Sequence, residues 1–186
     1  MLEDIIQIDK NLLIFLNNLG SEQWDGLWLV ITNQLWWSPL FLFIFYLVIK
    51  SFGWKRGGLM IVSMILLVAF SDQFTNLIKN SVERLRPNND PEIKHLLRTL
   101  IRPQSFSFMS GHATTSTFFS VYVLLLLRDK FKYIYLVLFF PLIFAYSRLY
   151  LGVHFPIDIF VGIIIGTTFA KIYYSLYKRL DTKLFT

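Results

Sequence analysis

From residue 24 onward the chain alternates long apolar runs with short clusters of charge. The first run extends from after Trp24-Asp25 to about Lys50, and residues 57 to 78 form the second, interrupted only by Asp72. From Pro103 to Leu127 there is no Asp, Glu, Lys or Arg; a fourth run covers about 133 to 150 and a fifth about Pro156 to Tyr174. Each is long enough for the roughly 20 residues a helix needs to cross a bilayer. Ahead of them Ile5, Ile8, Leu12, Leu13, Leu16 and Leu19 recur at helical spacing among acids and amides, in a stretch too short and too polar to span. The pattern predicts an all-α protein, a polytopic transmembrane helical bundle of about five spans with an N-terminal amphipathic helix at the interface. With no repeat, low-complexity tract or linker, residues 1–186 read as a single membrane-embedded domain.

Composition narrows the class further. At 55% hydrophobic and 16% charged the chain is too apolar for an ordinary soluble domain. The net charge of +6 is not laid out as a basic stripe with interleaved aromatics, so nucleic acid is not an expected partner. The absence of cysteine excludes disulfides, thiolate metal sites and cysteine nucleophiles. Glu3 and Asp4 stand where a signal peptide would carry its basic segment, and no cleavable leader is expected. Lys and Arg at 50/55/56, 128/130/132 and 178/179/183 group on one face, which the positive-inside rule assigns to the cytoplasm, placing the 80 to 105 loop outside.

Three short segments at the borders of the apolar runs carry the candidate chemistry. Lys79 ends the second run and Arg86 follows seven residues later, where Pro87 stops helix and turns the chain. An ammonium and a guanidinium there suit phosphate oxygens, although the same charges also read as a plain membrane boundary. Ser110-Gly111-His112 opens the third run: a helix start offers N–H donors to an anion, and His112 is placed to protonate a leaving oxygen; alone, the triplet equally reads as an N-cap. His154 and Asp158, four apart at a helix start marked by Pro156, face the same side, so the carboxylate can fix the imidazole tautomer and free the other nitrogen to attack. Arg148 faces the same mouth; its plainer reading is an ion pair with Asp158. Asp72 and Asn76 fall on the Lys79 side of their helix, either positioning Lys79 or bonding a neighbouring helix.

Taken together, Lys-x6-Arg-Pro, Ser-Gly-His and Ser-Arg-x5-His-x3-Asp resemble the signature of the type 2 phosphatidic acid phosphatase family, over Lys79 to Asp158. Met109 departs from it, standing where the family usually has proline, which is expected to loosen the turn into the third helix. The resemblance implies a phosphatase needing no metal or other cofactor. In it His154 attacks phosphorus to form a phosphohistidine, Asp158 orients it, and His112 protonates the leaving group. Lys79, Arg86, Arg148, Ser110 and the Gly111 backbone would hold the phosphate oxygens. It further implies a phospholipid or prenyl phosphate substrate (phosphatidylglycerophosphate, undecaprenyl diphosphate, phosphatidic acid or a lipid A phosphate) and a bacterial inner membrane with the site on its extracytoplasmic side.

Two other functions fit intramembrane charge. A transporter or channel predicts polar groups spread through the bilayer depth, whereas these cluster at one level. A silent structural protein predicts loss of a reactive residue, and none is lost.

Overall fold

The computed structural model describes residues 1–185, and these are all helix, turn and loop. The helices are α1 (Leu2–Asn18), α2 (Glu22–Thr32), α3 (Ser38–Val82), α4 (Gly111–Leu127), α5 (Phe139–Tyr150) and α6 (Pro156–Phe185). Three stretches are long and apolar enough to cross a membrane, Gln34–Asn89, Lys132–Tyr150 and Pro156–Phe185, and α4 is a shorter apolar helix. This is an integral membrane protein with helical spans.

The borders depart from the expected ones for local reasons. The expected first run divides: α2 ends at Thr32, Asn33 caps the next turn by accepting from Leu35 N–H at 3.0 Å, and Pro39 sits in the first turn of α3. Trp36 and Trp37 lie in that turn, at the start of the Gln34–Asn89 stretch, and Trp37 Nε1 donates to the Ile31 carbonyl at 2.8 Å. Where a loop was expected near residues 50 to 56, α3 instead runs on through a kink. Gly53 takes φ 71°, ψ 174°, a conformation open to glycine, and splits the 45-residue helix into two arms. At the far end α6 continues beyond Tyr174 to Phe185.

Helix α4 lies at the centre, buried on most sides by α3, α5 and α6. Phe118, Tyr122 and Leu126 pack with Met60, Met64 and Leu67 of α3, Phe144 of α5 and Tyr177 of α6. Two glycines let α6 approach α4 closely, as small residues do between membrane helices: a Cβ on Gly162 would lie 2.9 Å from Thr114 Oγ1, and one on Gly166 only 2.5 Å from the Thr114 carbonyl oxygen. Two side-chain pairs cross between α3 and α4, Ser63 with Tyr122 and Ser71 with Thr115, each at 2.8 Å. Ser71 and Thr75 make the inward polar stripe of α3. Asp72 and Asn76, one position round, are exposed and bond each other at 3.2 Å, so neither bonds a neighbouring helix.

At the end of the bundle holding the α3 kink, Arg56 is doubly paired with Asp181, which also accepts from Tyr177 at 3.1 Å. At the other end α1 packs with its polar side inward. Its buried stripe is Asp9, Leu13 and Asn17, while Ile8 and Leu19 are more than half exposed. Asn17 donates to the Arg98, Leu149 and Tyr150 carbonyls and accepts from Arg98 N–H, tying α1 to the end of α5 and to the long loop.

Gly166→Ala sets a Cβ against backbone that cannot yield and is expected to destabilise the fold by about 1–3 kcal/mol. The measurement is the thermal midpoint in detergent. Gly58→Ala, whose Cβ meets nothing within 4 Å, should leave that midpoint unchanged or raise it.

Candidate active site

The C-terminal ends of α3 and α5 and the N-terminal ends of α4 and α6 meet at one end of the bundle, with the 83–110 and 151–155 loops between them. Pro156 starts α6, so Asp158 stands in its first turn and reaches back to the Phe155 N–H at 2.9 Å, as an N3 acid does in a capping box. That local bond holds the carboxylate beneath His154, four residues earlier.

Asp158 is fully buried and satisfied on both oxygens. Oδ1 accepts from Arg84 Nη1 at 2.7 Å; Oδ2 accepts from Phe155 N–H, from the Ser107 hydroxyl and from His154 Nδ1 at 3.4 Å. On the far side of the ring, Nε2 lies 3.0 Å from Arg86 Nη1. A guanidinium can only donate, so Nε2 accepts and the proton sits on Nδ1, facing the carboxylate. The structure thereby fixes the tautomer that leaves the Nε2 lone pair pointing at the cations. Arg86 is itself held by the Ser105 carbonyl and hydroxyl at 2.6 and 2.9 Å and by the Val153 carbonyl at 2.9 Å.

The other cations are far less engaged. Arg148 is buried and donates to Thr32 Oγ1 from α2, while its Nε has no partner among the described residues. The expected alternative, an Arg148–Asp158 ion pair, is not formed, because Arg84 occupies that carboxylate. Lys79 makes no hydrogen bond or ion pair among the described residues, and its Nζ lies 3.8 Å from where a Gly111 Cβ would be. Lys79, Arg86 and Arg148 all act electrostatically on His112, whose ring stacks on Phe144 at 4.8 Å. Ser110 is the N-cap of α4, accepting from Ala113 N–H at 3.3 Å, and it is fully buried; its own N–H donates to the Asp158 carbonyl at 3.1 Å. Met109 is buried beside it.

All eight residues singled out from the sequence thus gather at this one end. Sequence reasoning missed their supports, Ser105, Ser107, Thr32 and Asp9, and reads Arg84 as a boundary charge or a phosphate ligand of the loop, whereas it is held by Asp158 and Asp9. The only signal for Asp9 was an acid placed four residues before Leu13 and eight before Asn17 on one helical face. Among the described residues no group of three or more His, Asp or Glu side chains is placed to hold a metal ion.

A helical membrane bundle that gathers two guanidinium groups, an ammonium and a carboxylate-held imidazole at one helix-end level is built to bind and act on phosphate at a bilayer. The chain belongs to the PAP2 superfamily, whose profile matches residues 57–181, and it is a membrane lipid phosphatase, a hydrolase. It is 34% identical to a lipid A 4'-phosphatase of Bacteroides thetaiotaomicron, over 99% of this chain and 83% of that protein. A lipid A 4'-phosphatase of Porphyromonas gingivalis is 29% identical over 95% of this chain and 75% of its own length. In fold it is similar to a transmembrane PAP2-type phosphatidylglycerolphosphate phosphatase of Bacillus subtilis, with a TM-score of 0.72 at 21% identity over 97% of this chain and 88% of that one.

Burial pushes the His154 imidazole down to about 3 from its ordinary 6.5, against the pull of Asp158. The unfolded imidazole takes up a proton as pH falls below 6.5 and the folded one does not until about 3, so this group's contribution to stability is complete above 6.5 and is lost between the two values. The thermal midpoint in detergent is expected to fall across that window, and to fall less steeply in His154→Asn. Equal slopes would contradict a neutral buried ring.

Proposed function

We propose that the protein removes a phosphate monoester from a lipid A-type glycolipid through a phosphohistidine on His154. The observation that carries this reading is the imidazole held between Asp158 and Arg86, with Nδ1 on the carboxylate and the Nε2 lone pair toward the Arg86 guanidinium. The two relatives named for lipid A 4'-phosphate hydrolysis, which align along nearly the whole chain, support the choice of substrate among the lipid phosphates the sequence admits.

An entering phosphate takes the Arg86 Nη1 donor away from Nε2 and so frees the nucleophile. The Nε2 lone pair forms the N–P bond as the P–O ester bond breaks, and the leaving oxygen takes a proton from His112. The positive charge that develops on the His154 ring is met by Asp158 through Nδ1–H. Water then attacks phosphorus, giving a proton to His112 as the N–P bond breaks and its electron pair returns to His154 Nε2, and phosphate leaves. Lys79, Arg86 and Arg148 hold the equatorial oxygens, joined by the free N–H groups at the start of α4 beginning with Gly111, while Ser110 caps that helix and turns its hydroxyl proton to the phosphate. These cations take the neutralising role, and the proposed chemistry uses no metal ion.

Each arm of α3, then α4, α5 with the turn before it, and α6 are read as five crossings of a bacterial inner membrane, with α1 and α2 at the surface and the site on the extracytoplasmic side. The Lys and Arg residues at the Gly53 end support this orientation.

Purified protein should release phosphate from lipid A in the presence of a chelator, and faster than from phosphatidic acid, phosphatidylglycerophosphate or undecaprenyl diphosphate. His154→Ala should lower turnover by more than about 10³-fold and His112→Ala by roughly 10²- to 10⁴-fold. A fully active His154→Ala, or loss of turnover on chelation, contradicts the mechanism. Because the sequence contains no cysteine, single-cysteine labelling reads topology directly. In spheroplasts an impermeant maleimide should label Asn89→Cys and spare Lys130→Cys; the reverse pattern places the site in the cytoplasm.

A further inference from the structure

Asp9 is a buried carboxylate, 2% exposed, on the inner face of α1 with Leu13 and Asn17, and the chemistry above does not use it. One of its oxygens accepts from Arg84 Nη2 at 2.7 Å; the other accepts from the Ile157 N–H at 2.9 Å, in the first turn of α6 beside Asp158. Arg84 therefore bridges two buried carboxylates, Nη1 on Asp158 and Nη2 on Asp9, with its plane over the Phe155 ring at 3.9 Å. We propose that Asp9 is a positioning residue for the His154–Asp158 pair, acting through Arg84, so that α1 forms a working wall of the active site. This rests on the phosphatase reading, in which Asp158 orients the attacking ring.

The physics favours that role over simple docking. Helix α1 is already fastened by Lys10, whose Nζ lies 2.9 Å from Asp90 and 2.7 Å from Glu92, and by the four bonds of Asn17. A further buried carboxylate costs desolvation that an anchor does not need. What Asp9 adds is a division of Arg84. While one end of the guanidinium is held by Asp9, only the other reaches Asp158, and Oδ2 stays available to Nδ1–H. Freed from Asp9, Arg84 can close on Asp158 with both nitrogens, the bidentate geometry that guanidinium and carboxylate prefer, and compete with the imidazole. The charge balance points the same way: Asp9, Arg84 and Asp158 sum to one negative charge facing the ring on which positive charge develops, and without Asp9 they sum to zero.

The test uses the full chain in detergent micelles with lipid A as substrate. Asp9→Asn keeps an oxygen for the Ile157 N–H and replaces the oxygen facing Arg84 with an NH2, which carries no charge and cannot accept from Nη2. It should lower kcat roughly 10- to 100-fold with KM changed by no more than about twofold, and Asp9→Glu should restore part of the loss. Lys10→Met, which loosens α1 without touching Arg84, should keep kcat near that of the unchanged protein. Should Asp9→Asn not accumulate, Asp9→Glu replaces it: a kcat below that of Lys10→Met supports the proposal, and a kcat equal to it overturns the proposal. The proposal is likewise overturned if Asp9→Asn keeps full kcat, or if Lys10→Met loses as much. A His154→Ala control separates the two levels: if it is inactive while Asp9→Asn is fully active, only this inference fails, and if it is active the phosphatase mechanism fails with it.

Discussion

The bonding of one carboxylate organises this end of the molecule. Asp158 is fully buried, and an isolated charge there would be prohibitive, so the chain supplies a donor from each neighbouring segment: Arg84 from beyond α3, Ser107 from the loop before α4, the Phe155 N–H at the start of α6, and the ring of His154. Even its own carbonyl is engaged, accepting the N–H of Ser110 and so joining the start of α4 to the start of α6. Packing supplies the other half of the arrangement. Gly162 and Gly166 bring α6 against α4 closely enough for those starts to meet, and both glycines face the first turns of α4, where Ser110 to His112 lie.

A contrast between the two ends of the bundle gives the site its character. Arg56 is paired with Asp181 on two bonds, a structural tie between the α3 kink and α6. At the opposite end Arg148 has a single side-chain partner and a buried Nε with none, and Lys79 has neither hydrogen bond nor ion pair among the described residues. The same residue types are neutralised where they hold helices together and left open where they face His154. Fixed positive charge kept without a carboxylate partner, near the bilayer, is suited to an anion that arrives from outside.

Much of this was legible in the sequence because the signals are local. The apolar runs gave the helices, and the spacings within Lys79–Pro87, Ser110–His112 and Arg148–Asp158 gave the eight residues of the site, since turn chemistry at Pro87 and Pro156 decides where those side chains point. The expected helix borders failed where one residue's backbone decides the outcome. Gly53 kinks α3 without a loop, and Asn33 ends α2 with a cap that a hydropathy pattern does not register. The supports escaped because their partners are distant in sequence: Asp9 meets Arg84 and Ile157, and Thr32 meets Arg148, through contacts that only the assembled bundle creates. For α1 the helix was legible but not its inner face, because Asp9 and Asn17 share that face with Leu13 while Ile5, Ile8 and Leu12 point out.

The central claim is that His154 carries phosphorus between the two halves of the reaction. Rapid quench of the enzyme with radiolabelled lipid A tests it most directly, followed by peptide mapping under alkaline conditions that preserve phosphohistidine. The account predicts an acid-labile, alkali-stable label on the peptide containing His154, appearing before steady state and absent from His154→Ala. Turnover of that substrate with no label, or with the label on another residue, would contradict it.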